Sequence, residues 1–548
     1  MLGFQQLAAS LRTPLYWGVF TGAVMATASG NASAAPHATL TSQVPAIVAQ
    51  HRAAASGVPN PSRILHLAVA LPMRNQAALD ALLRDLYNPA SPRYRHYLTV
   101  PEFTAAFGAT EQDYQETVDF FAKSGLQVTG TSANRYIIDV AGRVDAIESV
   151  FSIKLGLYRL PTQDGDFIAP DREPTLDLDV PVLHITGLDD LVLPTPRFVH
   201  ATAQRSLNLS GSGPGGNFIG TDIRTAYYGG TALTGAGQSL GLMELAAYNI
   251  SDVTTYFTKF GPPLTAQING ISTDGTQVNC TGFCNDTEQA LDIEYAVSIA
   301  PGLTQVQVYV GSTAESVLNR MASDNISKQL STSWGWDESF ATDDPLFKEM
   351  AAQGQTFLTA SGDASTLKAS GPWPEEDANL TAVGGTDLTT NGGGGPWSAE
   401  TGWKHSAGGP SLDPTITIQS YQVPFINKSN KGSKTLRNVP DIGGDADTDN
   451  YICANEICQG GNGGTSFASP IWAGIIALAN QQAAANGKPT VGFLNPTIYA
   501  LAGGSSYNSI LHDEKLGKSG KYKAVTGFDL VTGLGSPYGQ ALIDALAP

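Results

Sequence analysis

The stretch Gly463-Gly464-Thr465-Ser466, running through Phe467-Ala468-Ser469-Pro470 into the apolar residues 471–479, constrains the fold more than any other part of this chain. Two glycines and a small hydroxyl residue permit a tight, unobstructed turn. The apolar run after it reads as a buried helix with Ser466 at its N-terminus and Pro470 in its first turn, where a missing N–H costs little. A serine placed there can present its Oγ while backbone N–H groups point at any negative charge that develops. A serine-capped loop-to-helix junction has the same pattern, so the chemistry must be sought in what else the chain supplies.

With 548 residues there is room for two or more domains. The 49 Asp and Glu against 31 Lys and Arg give a net charge of -18, which argues against nucleic acid as a partner. Only 15% of residues are charged and 59 are glycine, a surface suited to acid because few carboxylates are lost on protonation. The four cysteines fall in two close pairs. Of the three possible connectivities, the local disulfides Cys280–Cys284 and Cys453–Cys458 are preferred over zinc ligation, since no histidine stands nearby. They fit an exported protein. So does the N-terminus, where Arg12 precedes the mostly apolar residues 14–28 and Ala32-Ser33-Ala34 offers a small-x-small cleavage site. A signal peptide is expected over 1–34, with secretion into an acidic environment. No later run approaches the length of a membrane span, so no membrane partner is expected.

Residues 35–58 read as a loose segment. Strand (64–71), helices (76–86, then one starting near 99–103, then 111–124), strands (126–129 and 136–140), helix (143–151) and strand (155–160) follow. This β-α-β/β-α-β order predicts a small α/β sandwich, ferredoxin-like, over 59–184. Residues 185–216, rich in Pro, Gly and Ser, read as a linker with a processing site. Beyond it, over 217–548, strands at 238–245, 304–309, 329–334 and 356–361 alternate with helices at 251–260, 314–324 and 345–353. The last helix is read with Asp344 as cap and Pro345 first. Apolar strands alternating with helices predict a mostly parallel sheet covered on both faces, with its chemistry at the strands' carboxyl ends. Glu244, Trp334 and Asp363 lie at such ends. Residues 387–435 show little periodicity and read as loops walling a substrate cleft.

A serine hydroxyl needs a base. Of eight histidines only His405 and His512 lie beyond the linker, both in polar loops. The carboxylates offer more. Residues 286–297 read as a helix capped by Asp286 or Thr287, and Glu288 and Asp292, at i and i+4, share one face. Two like charges so close disfavour each other, so one tends to hold a proton. A carboxylate base has a reference pKa of about 4, against about 6.5 for imidazole, and keeps its working form in acid. As plain structure the pair would be no more than a solvated face.

Taken together, these motifs resemble the sedolisin (serine-carboxyl peptidase) family, acid-acting relatives of subtilisin, over about residues 60–546. The match is carried by Gly464-Thr465-Ser466 with Pro470, by Glu288 and Asp292 in a helix ending Leu291-Asp292-Ile293-Glu294, and by Ser361-Gly362-Asp363. Ser333-Trp334-Gly335, Val383-Gly384-Gly385-Thr386, Arg437-Asn438-Val439-Pro440-Asp441 and Thr532-Gly533-Leu534-Gly535-Ser536-Pro537 accompany them. The resemblance implies a subtilisin-like catalytic domain acting on proteins or peptides as a monomer. Ser466 is then the nucleophile, Glu288 the base, Asp292 its orienter and Asp363 the oxyanion donor, with Glu244 and Trp334 extending the network. It also implies a removable prodomain, signalled by His96-Tyr97-Leu98-Thr99, that inhibits the enzyme until acid releases it. Endopeptidase action is expected, with tripeptidyl-peptidase action as the alternative and an inactive, sedolisin-shaped binding protein a remoter one.

The family's calcium site is matched only in part. Asp529 stands at the final ligand, with Val525 and Gly527 in the glycine region. Ser509-Ile510 replaces an Asp-Ile pair, and Asp513 is the candidate substitute for the missing carboxylate. Calcium is expected through this partly degenerate set.

Overall fold

The computed structural model describes residues 38–160, 165–200, 209–337, 339–368 and 373–547; the expected signal peptide lies outside them. The C-terminal part is built on one sheet of eight strands. In chain order the elements that matter are β1 (Ser239–Glu244), β2 (Gln267–Ser272), α1 (Thr287–Ile299), β3 (Gln305–Val310), α2 (Ala314–Asp324), β4 (Gln329–Thr332), α3 (Phe340–Ala352), β5 (Thr356–Ala360), β6 (Thr381–Thr390), β7 (Trp397–Gly402), β8 (Ile442–Asp445) and α4 (Thr465–Ala485). The strand order is β2-β3-β1-β4-β5-β6-β7, with β8 also on β6, and every pairing is parallel except β6 with β7. This is the α/β architecture expected. Strand β2 was not read from sequence; Asn269 and Gly270 in its middle break the apolar pattern, which an edge strand tolerates. The stretch 387–435 is less irregular than expected, since β6 runs on to Thr390 and returns as β7.

Helix α4 runs through the interior, buried continuously from Thr465 to Asn480. It packs on α1 so closely that a Cβ on Gly474 would stand 2.5 Å from the Ile299 side chain. The Tyr295 and Phe467 rings meet edge to face at 4.7 Å. The helix that carries Ser466 and the helix that carries Glu288 and Asp292 are therefore one packed unit. Two prolines sit deeper than expected. Pro345 is inside α3, which starts at Phe340 after Ser339 rather than after Asp344. The carbonyl it leaves unbonded belongs to Ala341, an exposed residue that water reaches. Pro470 is the sixth residue of α4 and not in its first turn, and it frees the carbonyl of Ser466.

The N-terminal part forms a four-stranded antiparallel sheet in the order Gln127–Thr131, Ile137–Arg143, Ile64–Ala70, His184–Thr186. The fourth place goes to His184–Thr186. Leu155–Arg159, expected there, pairs instead with Ala54–Gly57 and Asp166–Pro170 in a separate sheet. Residues 38–57, expected loose, hold two short strands and a helical turn. This part docks on α2 and α3. Leu79, Leu82 and Leu86 share a buried cluster with Leu346, Phe347 and Met350. Asn134 Nδ2 donates to Asn319 Oδ1 and Glu349 Oε2, both at 2.8 Å.

Candidate active site

Ser466 lies one residue inside the start of α4, completely buried. Gly464, its N-cap, has φ +122°, and a Cβ there would meet the Arg197 carbonyl oxygen at 2.5 Å and Asp363 Oδ2 at 2.8 Å. Only glycine leaves room for both oxygens. Asp363 follows β5 and is anchored through Oδ1, which accepts from the N–H and the hydroxyl of Thr465, each at 2.9 Å. Its Oδ2 is sealed from solvent and free of those bonds. Burial pushes its pKa up to about 6, opposed by the Thr465 donors and by Arg197.

The structure brings Glu288, Asp292, Glu244 and Trp334 together as the sequence predicts. Trp334 Nε1 donates to Glu244 Oε2 at 2.8 Å. Burial drives all three carboxyls well above the ordinary range, and the negative charge of Asp292 adds to the rise at Glu244 and Glu288. The Ser466 hydroxyl beside Glu288 works against that rise, although the two do not close a well-aligned hydrogen bond. Contacts of this kind commonly tighten only with substrate in place.

Ser333, a residue without a predicted role of its own, ties the parts together. Its Oγ lies 2.7 Å from Asp292 Oδ1 and 3.1 Å from the Ser466 carbonyl, the one that Pro470 releases. A hydroxyl has one proton for two acceptors. Both contacts are satisfied when Asp292 is itself protonated and donates to Ser333, which agrees with its raised pKa. The Ser333-Trp334-Gly335 motif marks Ser333 in the sequence but not what it does, because its partners come from α1 and α4.

The linker occupies the cleft. Thr195–Pro196 pairs antiparallel with Trp334–Gly335, and Val199–His200 pairs antiparallel with Asn462 and Gly463. Between them, the N–H of Arg197 donates to Ser333 O at 2.9 Å and the N–H of Ser466 donates to Arg197 O at 3.1 Å. His200 bonds Asn462 Oδ1 through Nδ1 at 2.9 Å. His512 stacks between Trp397 and Tyr538 at 3.9 and 4.3 Å, away from this chemistry.

Both expected disulfides are present, Cys280–Cys284 and Cys453–Cys458. The expected calcium ligands assemble less well. Asp529 spends both oxygens on its own loop, accepting from the N–H groups of Val525, Val531 and Thr532 and from the Thr532 hydroxyl. The Ser509 hydroxyl, on an exposed residue, turns back to Ser506 O at 2.7 Å. Asp513 accepts from Gly527 N–H at 2.9 Å and lies 3.4 Å from the Lys515 ammonium. Among the described residues no group of three or more His, Cys, Asp or Glu is placed to hold a metal ion. A hard cation wants several charged oxygens, and this set does not make them available.

Residues 51–191 match the activation domain of pro-kumamolisin. Kumamolisin of Bacillus sp. (strain MN-32) is 30% identical over 504 residues, which cover 84% of this chain and 87% of that one. Tripeptidyl-peptidase 1 of Rattus norvegicus is 25% identical, covering 89% and 92%. Pseudomonas sedolisin, solved as a serine-carboxyl proteinase complexed with two molecules of pseudo-iodotyrostatin, superposes with a TM-score of 0.53 at 28% identity over 60% of this chain and 96% of that one. A subtilisin-like α/β domain behind such an activation domain defines the precursor of a serine-carboxyl peptidase, with the activation domain as intramolecular inhibitor. The chain belongs to the sedolisin family.

Proposed function

We propose that the protein is an exported, acid-acting endopeptidase that hydrolyses proteins through an acyl-enzyme on Ser466. Glu288 takes the Ser466 proton as Oγ adds to the substrate carbonyl, and returns it to the leaving amine. Asp292 and Glu244, holding protons between them and braced by Ser333 and Trp334, keep Glu288 in place. Burial alone would keep Glu288 protonated in acid; the Ser466 hydroxyl favours its ionised form, and the protons held by Asp292 and Glu244 remove the negative charge that otherwise opposes it, so the one charge of the network rests on the base. Protonated Asp363, through Oδ2, and the N–H of Ser466 stabilise the oxyanion. None of these steps involves a calcium ion.

The observation that carries this reading is the linker's pose, with the Arg197 carbonyl on the Ser466 amide. A peptide lies where a substrate would, in a sheet-like grip on both sides of the nucleophile. The linker also continues upstream beyond the three residues 195–197, to Pro194 and Leu193. That favours internal cleavage over the removal of tripeptides. The test is digestion of a denatured protein at pH 4 by acid-matured enzyme. Internal fragments of varied length, absent with Ser466→Ala, are expected. Products in steps of three residues from the N-terminus would point to the tripeptidyl alternative.

A further inference from the structure

The side chain of Arg197 makes contacts that peptide-bond hydrolysis alone does not require. Its Nη2 lies 2.5 Å from Glu375 Oε2, with the two side chains only 5% and 8% exposed. Nη1 donates to the carbonyl of Ala360, and Nη2 also reaches that of Trp373 at 3.4 Å. Gly362, with φ +99°, forms one wall; a Cβ there would stand 3.6 Å from Nη1. The guanidinium therefore fills a pocket built from the end of β5 and the segment 373–375, which among the described residues offers one carboxylate and two carbonyl oxygens. The backbone of the same residue places its carbonyl on the Ser466 amide and its N–H on Ser333 O. Arg197 thus stands on the acyl side of the bond that Ser466 would cut, with Phe198 on the amine side.

A buried carboxylate is costly without a partner, and a pocket built to hydrogen-bond a polar group rejects a guest that leaves it unpaired. Arginine satisfies all three acceptors through a planar fork of donors that stays charged at every relevant pH, and lysine satisfies some of them. Two of the acceptors are carbonyls, which do not titrate, so the pocket still recognises a cation in acid. We infer that Glu375 makes the pocket for the acyl-side residue selective for arginine or lysine, and that maturation cuts Arg197–Phe198, with Arg197 as that pocket's first occupant. The inference rests on the peptidase function proposed above and adds its substrate class. In the maturation step Ser466 Oγ bonds to the Arg197 carbonyl carbon as its proton passes to Glu288. The carbon–nitrogen bond to Phe198 then breaks, and the Phe198 amine takes that proton. Water afterwards splits the ester, giving its hydroxyl to Arg197 and a proton, by way of Glu288, back to Ser466.

Two measurements test this. The full-length precursor is acidified to pH 4 and the first product sequenced from its N-terminus. The matured enzyme is then given two quenched peptides that differ only in Arg or Leu before the scissile bond. Expected are a product beginning at Phe198, and a kcat/KM ratio of Arg over Leu above about tenfold that falls by about tenfold or more in Glu375→Gln. The double variant Glu375→Lys with Arg197→Glu should be processed at the same bond, where Glu375→Lys alone is not. A first product beginning elsewhere, or a ratio that Glu375→Gln leaves unchanged, overturns the inference while the cleavage itself upholds the peptidase reading. Absence of any Ser466-dependent cleavage overturns both.

Discussion

The backbone N–H of Ser466 donates to the carbonyl oxygen of Arg197 at 3.1 Å, although 269 positions separate them in the 548-residue chain. In the proposed mechanism the precursor thereby holds one of its own peptide groups where the oxyanion of a substrate would form. The same peptide is gripped on one side by Trp334–Gly335 and on the other by Asn462 and Gly463. In the proposed mechanism, inhibition is occupancy of the cleft by a segment tethered to the activation domain, and the tether makes the occupant's effective concentration high.

Replacing Asp363 tests the oxyanion donor. Asp363→Ala should lower kcat by about 10²–10³, or about 3–4 kcal/mol, with little change in fold. With its pKa pushed up to about 6, wild-type activity should fall as pH rises through that value, because the donor proton is lost. Asp363→Asn keeps a donor that does not titrate and should flatten that alkaline limb. Steady-state kinetics from pH 3 to pH 8 check both; an Ala variant with near-normal turnover would remove Asp363 from the mechanism.

Ser333→Ala should strand the Ser466 carbonyl and one oxygen of Asp292. A loss of about 1–3 kcal/mol in unfolding free energy, together with a lower kcat, is expected from urea melts and kinetics on the same preparation. Ser333→Thr, which keeps the hydroxyl, should recover most of the stability.

Stability should fall from pH 5 to pH 8. Burial raises Asp363 to about 6, Asp139 and Asp529 to about 7, and Glu349 to about 8, against about 4 in the unfolded chain. The folded state binds more protons than the unfolded one across that window, so unfolding free energy drops as pH rises through these values. Asp166 beside Arg159 titrates below the window, whereas His184 and His512, which burial lowers to about 4, favour folding as pH rises toward about 6.5 and offset part of the trend at its acid end. Thermal melts of the Ser466→Ala precursor, which cannot digest itself, measure it. A Tm that rises between pH 5 and pH 8 would contradict it.

Chelation should leave the protein unchanged. With both oxygens of Asp529 taken by its own loop, dialysis against a calcium chelator is expected to shift Tm by less than about 2 °C, and metal analysis to find no stoichiometric calcium. A large drop in Tm, restored by calcium, would show that the loop opens to take the ion.

What could be read in the sequence followed the range of the interactions concerned. Glu288 and Asp292 were legible because four residues along a helix is a fixed geometry, and Ser466 because its glycines and apolar helix are contiguous. The parallel sheet followed from its alternation with helices. Leu155–Arg159 was assigned to the wrong sheet because strand propensity does not name a partner, and His184–Thr186, only three residues long, carries little signal. Pro345 and Pro470 were drawn toward helix starts because propensity favours proline there, whereas the fold admits each by giving the freed carbonyl to water or to Ser333. Arg197 and Glu375 were invisible because their pairing depends on threading the linker through a cleft 178 residues away in the chain.

The pH dependence of kcat/KM for acid-matured wild type and Glu288→Gln, on one peptide substrate, tests the carboxylate base most directly. Full activity is expected near pH 4, where an ordinary imidazole with a pKa of about 6.5 is protonated and idle, with a loss of about 10²-fold or more in Glu288→Gln. Activity that appears only as pH rises through about 6.5, with Glu288→Gln as fast as wild type, would contradict it.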